Sequence, residues 1–146
     1  MSARGSDVAA KAARQIQKGT ALPELKLYGD PTFIISTALA TRDFQDVHHD
    51  RDKAQAKGSK DIFVNILTDT GLVQRYVTDW AGPNAVLKRV AIKLGAPNFP
   101  GDTMKMTGVV KGKEEATGIV DLEVVGKNSW GNHVTAQVRV ALPAGA

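Results

Sequence analysis

One stretch, Asp61–Ala81 (DIFVNILTDTGLVQRYVTDWA), limits what this chain can fold into more than any other. Ile66, Leu67, Thr70, Val73, Val77 and Trp80 recur in it at helical spacing, with few polar residues interrupting them. That pattern predicts one long, largely buried helix entered through a short extended approach. Gly71 falls mid-helix, where glycine costs about 1 kcal/mol against alanine. The expected compensation is a sheet backbone passing close by. After the helix, Gly82-Pro83-Asn84 reads as a stop. The segments Val86–Leu94, Thr103–Lys111, Thr117–Val125 and Val134–Leu142 then alternate apolar and polar residues with the period of a strand. In the first of them Val86, Val90, Ile92 and Leu94 share one face with Lys88, and Arg89 and Lys93 share the other. Pro100-Gly101 suits the centre of a type II turn, and Gly126-Lys127-Asn128 with Gly131-Asn132 marks the last hairpin. An antiparallel sheet with one apolar face needs a cover, and the helix supplies it. The expected class is therefore α+β, with an antiparallel sheet wrapped around one long central helix.

The chain before the helix is less regular. Met1–Lys18 is rich in Ala, Lys and Arg and reads as a leader or a short surface helix capped at Ser6 or Asp7. The expected organisation is a leader over residues 1–20 and one domain over residues 21–146. Pro23–Leu27 is a short extended lead-in, and Tyr28-Gly29-Asp30-Pro31 is a turn. Thr32–Ala40 (TFIISTALA) is apolar and β-branched and predicts a strand. Thr41–Asp52 is then a polar loop, and Lys53–Lys60 a polar connection.

Composition removes several classes of function. The chain has no cysteine, so disulfides, thiolate metal sites and cysteine nucleophiles are all excluded. A net charge of +4 spread along the chain, with 5% aromatic residues, argues against a nucleic-acid binder. It suits a phosphate-bearing small molecule better. No apolar run is long enough to span a bilayer. The N-terminus lacks the apolar core of a signal peptide, so a cytoplasmic location is expected.

The polar loop carries the candidate chemistry. It holds His48 and His49, two of only three histidines in the chain. Histidine is the natural proton-transfer group near neutral pH, and Asp43 lies close enough in sequence to share a small volume with His48. Such a pair can hold a water and take its proton. An oxyanion would need backbone N–H donors, and the helix start around Asn65 and Ile66 offers them. No metal is expected, because neighbours such as His48, His49 and Asp50 point different ways and no HxxxH pattern supports them. His133 follows the hairpin Gly131-Asn132 and reads as a surface or core residue.

Arg42-Asp43-Phe44-Gln45-Asp46-Val47-His48-His49-Asp50 resembles the Gly-Asp-x-Asn-Pro-Ile/Leu-His-x-Asp motif of the MaoC-like enoyl-CoA hydratases, a hot-dog-fold family. The Asp, the His and the trailing Asp match; Arg42, Gln45 and Asp46 replace glycine, asparagine and proline. Phe99-Pro100-Gly101-Asp102-Thr103 is similar to that family's Pro-Gly-Asp-Thr turn. Asn65 stands where the family has the glycine whose N–H binds the thioester oxygen. Residues 40–83 further resemble the small MaoC-like subunits of actinobacterial steroid side-chain enoyl-CoA hydratases, and the likeness covers roughly Leu22 to Leu142.

The resemblance implies catalytic Asp43 and His48, and hydration of a steroid side-chain 17(20)-enoyl-CoA in steroid degradation. It implies no cofactor beyond the CoA of the substrate. It also implies a larger MaoC-like partner with a zinc-binding DUF35/OB-fold domain in an α2β2 complex, which passes product to a thiolase-like retro-aldolase. Lys88, Arg89 and Lys93 are candidates for the CoA phosphates. The rival readings are a hot-dog acyl-CoA thioesterase and a non-catalytic, pocket-forming subunit.

Overall fold

The computed structural model describes residues 16–143. The first element among the described residues is strand β1 (Ala21–Gly29), followed by helix α1 (Pro31–Ala40), a 3-10 turn (Asp46–His48) and the short helix α2 (Arg51–Ala56). The long helix α3 (Ile66–Ala81) follows, and then strands β2 (Val86–Leu94), β3 (Asp102–Glu114), β4 (Ile119–Asn128) and β5 (Gly131–Ala141). The five strands form one sheet in the order β1-β3-β4-β5-β2, and every neighbouring pair is antiparallel.

The sheet wraps α3 through the alternation that its sequence shows. Met104, Met106 and Val110 of β3, Val120, Leu122 and Val124 of β4, and Val134, Ala136, Val138 and Val140 of β5 are buried together with Val73, Tyr76 and Val77 of α3. Burying each Val, Leu or Met side chain among them is worth about 1.5–3 kcal/mol. The Tyr76 hydroxyl donates to the Pro23 carbonyl at 2.8 Å, which ties the helix to the edge strand β1. This is the hot-dog arrangement, and it bears out the expected class.

Several local expectations are overturned. The strand expected over Thr32–Ala40 is the helix α1. Asp30 is its N-cap, accepting from the Phe33 N–H at 2.7 Å, and Pro31 follows at the first helical position. These capping residues outweigh the β-branched propensity, and Thr37 and Thr41 turn their hydroxyls back onto the carbonyls of Phe33 and Thr37, each at 2.8 Å. The first strand is instead β1, where only a short lead-in was expected. Helix α2 spans the end of the expected polar loop and the start of the polar connection, and stops before Gly58 with φ +89°.

The apolar stripe of α3 is narrower than its sequence pattern, because Ile66 and Leu67 are half exposed (46% and 49%) while Thr68 and Asp69 are buried. In β2 an irregularity between Leu87 and Arg89 resets the alternation. Leu87, Val90 and Ile92 pack on the core, and Val86 and Leu94 are exposed. The expected helix over residues 6–18 falls largely outside the described residues. Residues 16–20 are already tied to the sheet, since the Gly19 N–H donates to Val110 and Ile16 packs on the core.

No backbone approaches Gly71, which is exposed with nothing within 4 Å of an added Cβ. Close packing between helix and sheet occurs on the sheet side. A Cβ on Gly108 would meet Leu22 and Tyr76 at 3.1 Å, and one on Gly126 would lie 2.6 Å from Val134 and 2.7 Å from Met104. Gly71→Ala is therefore expected to stabilise the chain by about 1 kcal/mol, and Gly126→Ala to destabilise it by about 1–3 kcal/mol. Chemical unfolding of the two variants would check both signs.

Candidate active site

The site is built where α1 ends and α3 begins. Helix α1 closes with a Schellman motif: the Asp43 N–H donates to the Ala38 carbonyl at 2.9 Å, and the Arg42 N–H to Leu39 at 3.0 Å. This motif needs a left-handed residue in its penultimate position, and Arg42 adopts φ +59° there. The glycine of the resembled motif thus marks a backbone conformation, which this chain keeps with arginine. The turn fixes the Asp43 backbone, and the side chain reaches Asn65 at the start of α3.

His48 closes the 3-10 turn and is buried, with Phe63 packed edge-on at 4.9 Å. Its Nδ1 lies 2.7 Å from the Phe63 carbonyl oxygen. A carbonyl can only accept, so Nδ1 carries the hydrogen and Nε2 of the neutral ring has a free lone pair. That Nε2 is 3.5 Å from Asp43 Oδ2. The Phe63 N–H donates in turn to Val47 at 3.2 Å, so the loop and the extended approach to α3 are laced together. A small apolar cluster of Ile34, Ala54, Ile62 and Val64 supports them from below.

Asn65 joins the two halves. As N-cap of α3 its Oδ1 accepts from the Thr68 N–H at 3.2 Å and from the Thr68 hydroxyl. Its Nδ2 donates to Asp43 Oδ2 at 3.1 Å and to the Thr41 hydroxyl at 2.9 Å. The Gln45 N–H adds a contact to Asp43 Oδ1 at 3.3 Å. Asp43, His48 and Asn65 therefore occupy one volume, with the first N–H groups of α3 beside them and lacking intrahelical partners. The Asn65 carboxamide role was not legible in the sequence, which pointed only to the backbone N–H groups of Asn65 and Ile66.

Other residues of the motif have structural partners. Asp50 caps α2, accepting from the Lys53 N–H at 3.1 Å. His49 turns toward Asp46, 3.9 Å away. Among the described residues no group of three or more His, Asp or Glu side chains could hold a metal ion.

Lys88, Arg89 and Lys93 are exposed on β2. Arg89 lines a groove on the outer sheet face with Lys111, Asp121, Glu123 and Arg139, and Lys93 lines a second with Thr135 and Gln137. Neither groove includes Asp43 or His48. His133 is a core residue, not a surface one. It is 2% exposed and bonded to Asp69 across 2.8 Å. No local pattern announces that pair, because its members are far apart in sequence.

With this geometry in hand, the comparisons assign the class. The MaoC like domain matches residues 8–140, most of the chain, and the chain belongs to that family. In particular, it is 64% identical, over 124 residues, to the 3-oxo-4,17-pregnadiene-20-carboxyl-CoA hydratase beta subunit of Mycobacterium tuberculosis, covering 85% of this chain and 95% of the relative. It superposes with a TM-score of 0.84 and 63% identity on a chain of the crystal structure of the ChsH1-ChsH2 complex from Mycobacterium tuberculosis, covering 86% of this chain and 98% of that one. The (R)-hydratase from A. caviae involved in PHA biosynthesis shares the fold, with a TM-score of 0.82 at 18% identity over 89% of this chain and 99% of that one. Among the described residues no helix is long and apolar enough to cross a membrane.

A left-handed non-glycine residue costs roughly 1–2 kcal/mol, and glycine's larger unfolded-state entropy takes back about 0.5–1 kcal/mol. Arg42→Gly is therefore expected to leave stability unchanged or raise it by up to about 1.5 kcal/mol. Arg42→Val, β-branched at the same φ, is expected to lower it by more than about 1 kcal/mol. Urea midpoints of the two variants test the assignment of this turn, and a destabilised Arg42→Gly would contradict it.

Proposed function

We propose that this chain is the catalytic subunit of an enoyl-CoA hydratase. Its substrate would be a steroid side-chain 17(20)-enoyl-CoA of the 3-oxo-4,17-pregnadiene-20-carboxyl-CoA type, and its product the 17-hydroxy acyl-CoA. The observation that carries the reading is the fixed His48 tautomer facing Asp43, in a chain so close to a hydratase subunit acting on that acyl-CoA.

The geometry supports the following chemistry. A water seated between His48 Nε2 and Asp43 gives its proton to Nε2, the basic ring nitrogen that Phe63 leaves free. Asp43 accepts the second water hydrogen and orients the oxygen for attack. The hydroxyl adds to ring carbon C17, and the double-bond electrons move to C20 and onto the thioester oxygen. N–H groups at the α3 start, around Asn65 and Ile66, stabilise that oxygen with the positive end of the helix dipole. His48, now an imidazolium beside the Asp43 carboxylate, returns the proton to C20. One water is consumed, and no redox or metal cofactor enters the balance.

The flanks of the site suit a partner. Leu39, Phe44, Ile66 and Leu67 are large apolar residues exposed on this chain alone, within four residues in sequence of Asp43 or Asn65. A bulky planar substrate needs an apolar enclosure, which a second MaoC-like subunit would complete. The proposed partner is larger and carries a zinc-binding DUF35/OB-fold domain. It would assemble as α2β2 and deliver product to a thiolase-like retro-aldolase. Lys88, Arg89 and Lys93 remain the proposed CoA phosphate contacts. A cytoplasmic location belongs to the same reading, because acyl-CoA esters are intracellular.

Proton transfer by a placed side chain contributes about 10²–10⁴ in rate. His48→Ala and Asp43→Asn are expected to lower kcat by about that factor while the complex still assembles. Steady-state hydration kinetics on the assembled variants would show it, and near-normal turnover in either one would remove the pair from the mechanism.

A further inference from the structure

Two Asp–His pairs are built into this chain on one plan. In each, imidazole Nδ1 meets a backbone carbonyl and Nε2 faces a carboxylate. The first is Asp43–His48. In the second, His133 Nδ1 lies 2.6 Å from the Ala96 carbonyl, and Nε2 lies 2.8 Å from Asp69 Oδ2. The second pair is sealed: His133 is 2% exposed and Asp69 is fully buried. Substrate and bulk water cannot reach it, so it is not a second reaction centre.

Its proton is also held in place. The Ala96 carbonyl requires a hydrogen on Nδ1, which leaves one further proton between Nε2 and Oδ2. Burial works against a charged imidazole, but the adjacent Asp69 carboxylate outweighs it and holds His133 above the usual imidazole range. Burial pushes the Asp69 carboxyl up, and its Oδ1 has no donor. Both effects favour keeping the shared proton on the pair.

The location of the pair is what gives it a consequence for the reaction. Asp69 sits one turn into α3, and its N–H donates to the Asn65 carbonyl at 3.2 Å. Asn65 is the residue that grips Asp43. On the other side, Ala96 belongs to the connection between β2 and β3. In that connection Pro97 accepts from Asn128 Nδ2 at 2.8 Å, and the Asn98 carbonyl accepts from the Val64 N–H at 3.1 Å. His133 therefore fastens both the first turn of α3 and the segment that holds its extended approach. A buried ion pair adds little net stability over apolar packing, so a stabilising role explains this pair less well than its position does.

We propose that Asp69 and His133 are positioning residues for the hydration centre: they lock the start of α3 to β5 and so set where Asn65 holds the Asp43 carboxylate. The proposal rests on the hydratase reading for its kinetic consequence and on geometry alone for its structural one.

The test uses the assembled complex. Turnover is expressed per binding site, counted with the unreactive saturated steroid acyl-CoA, so that unfolded protein does not enter. Asp69→Ala is expected to lower kcat per site by roughly 10–100-fold, the scale of a misplaced reacting group, with KM changed by less than about 3-fold. Asp69→Asn can donate to Nε2 of a neutral His133 and is expected to recover kcat to within about 3-fold. Because Asp69 acts through Asn65, adding Asp69→Ala to an Asn65→Ala background is expected to cost less than about 3-fold more.

A crystal structure of the Asp69→Ala complex is expected to show Asn65 Nδ2 withdrawn from hydrogen-bonding distance of Asp43, a result independent of any activity. An unmoved Asn65–Asp43 contact, unchanged kcat per site, or losses that simply multiply would overturn the proposal. If Asp69→Ala prevents assembly, His133→Gln takes its place as the disrupting variant and Asp69→Asn remains the conservative one. Absence of hydration in the unmutated complex would overturn the hydratase reading instead, and the crystallographic result would still decide the positioning role.

Discussion

The Asn65 carboxamide is the interaction on which the site depends. Its oxygen caps α3 and its nitrogen holds Asp43, so one side chain couples the start of the central helix to the Asp43 carboxylate. A cap of this kind contributes about 1 kcal/mol to a helix. Here it also converts helix position into carboxylate position. The Schellman turn at Arg42 fixes Asp43 from the other side, and the Phe63 carbonyl fixes the His48 ring. The three groups are thus placed by backbone that is itself held at both ends, which is what a preorganised proton-transfer site requires.

The rest of the fold supplies rigidity to that junction. The sheet encloses the C-terminal two-thirds of α3 with β-branched and methionine side chains, and Gly108 and Gly126 let the packing close. The N-terminal turn of α3 lies outside that apolar wrap. There Ile66 and Leu67 face outward, and Asp69 reaches the sheet only through His133. The helix is therefore held by apolar contacts along most of its length and by polar contacts at the end that meets Asp43 and His48. The exposed Leu39, Phe44, Ile66 and Leu67 leave the same end open to a partner or an apolar ligand.

Much of this was legible in the sequence, for identifiable reasons. The period-two alternation runs through most of β3, β4 and β5 because one face packs on a helix and the other meets solvent, and the helix over residues 66–81 declares itself through its spacing. Asp43 and His48 could be singled out because the spacing and the surrounding motif resemble a known family, and the structure does bring them together. Other features were hidden. Helix α1 carries strand-like residues, and its identity lies in the cap Asp30-Pro31, which also reads as a turn. The offset in β2 comes from one irregular residue that no composition signals. Asn65 as a bridge to Asp43, and Asp69 as the partner of His133, depend on contacts between distant segments, which periodicity does not encode.

The most direct test of the account is mass spectrometry of a steroid 17(20)-enoyl-CoA incubated in heavy-oxygen water with the assembled complex of this chain and a larger MaoC-like partner. The account predicts an intact thioester that has gained one water, with the heavy oxygen in the new hydroxyl. Release of free CoA with the heavy oxygen in a carboxylate would show hydrolysis in place of hydration, and unchanged substrate with a folded complex would show neither. Either result would contradict it.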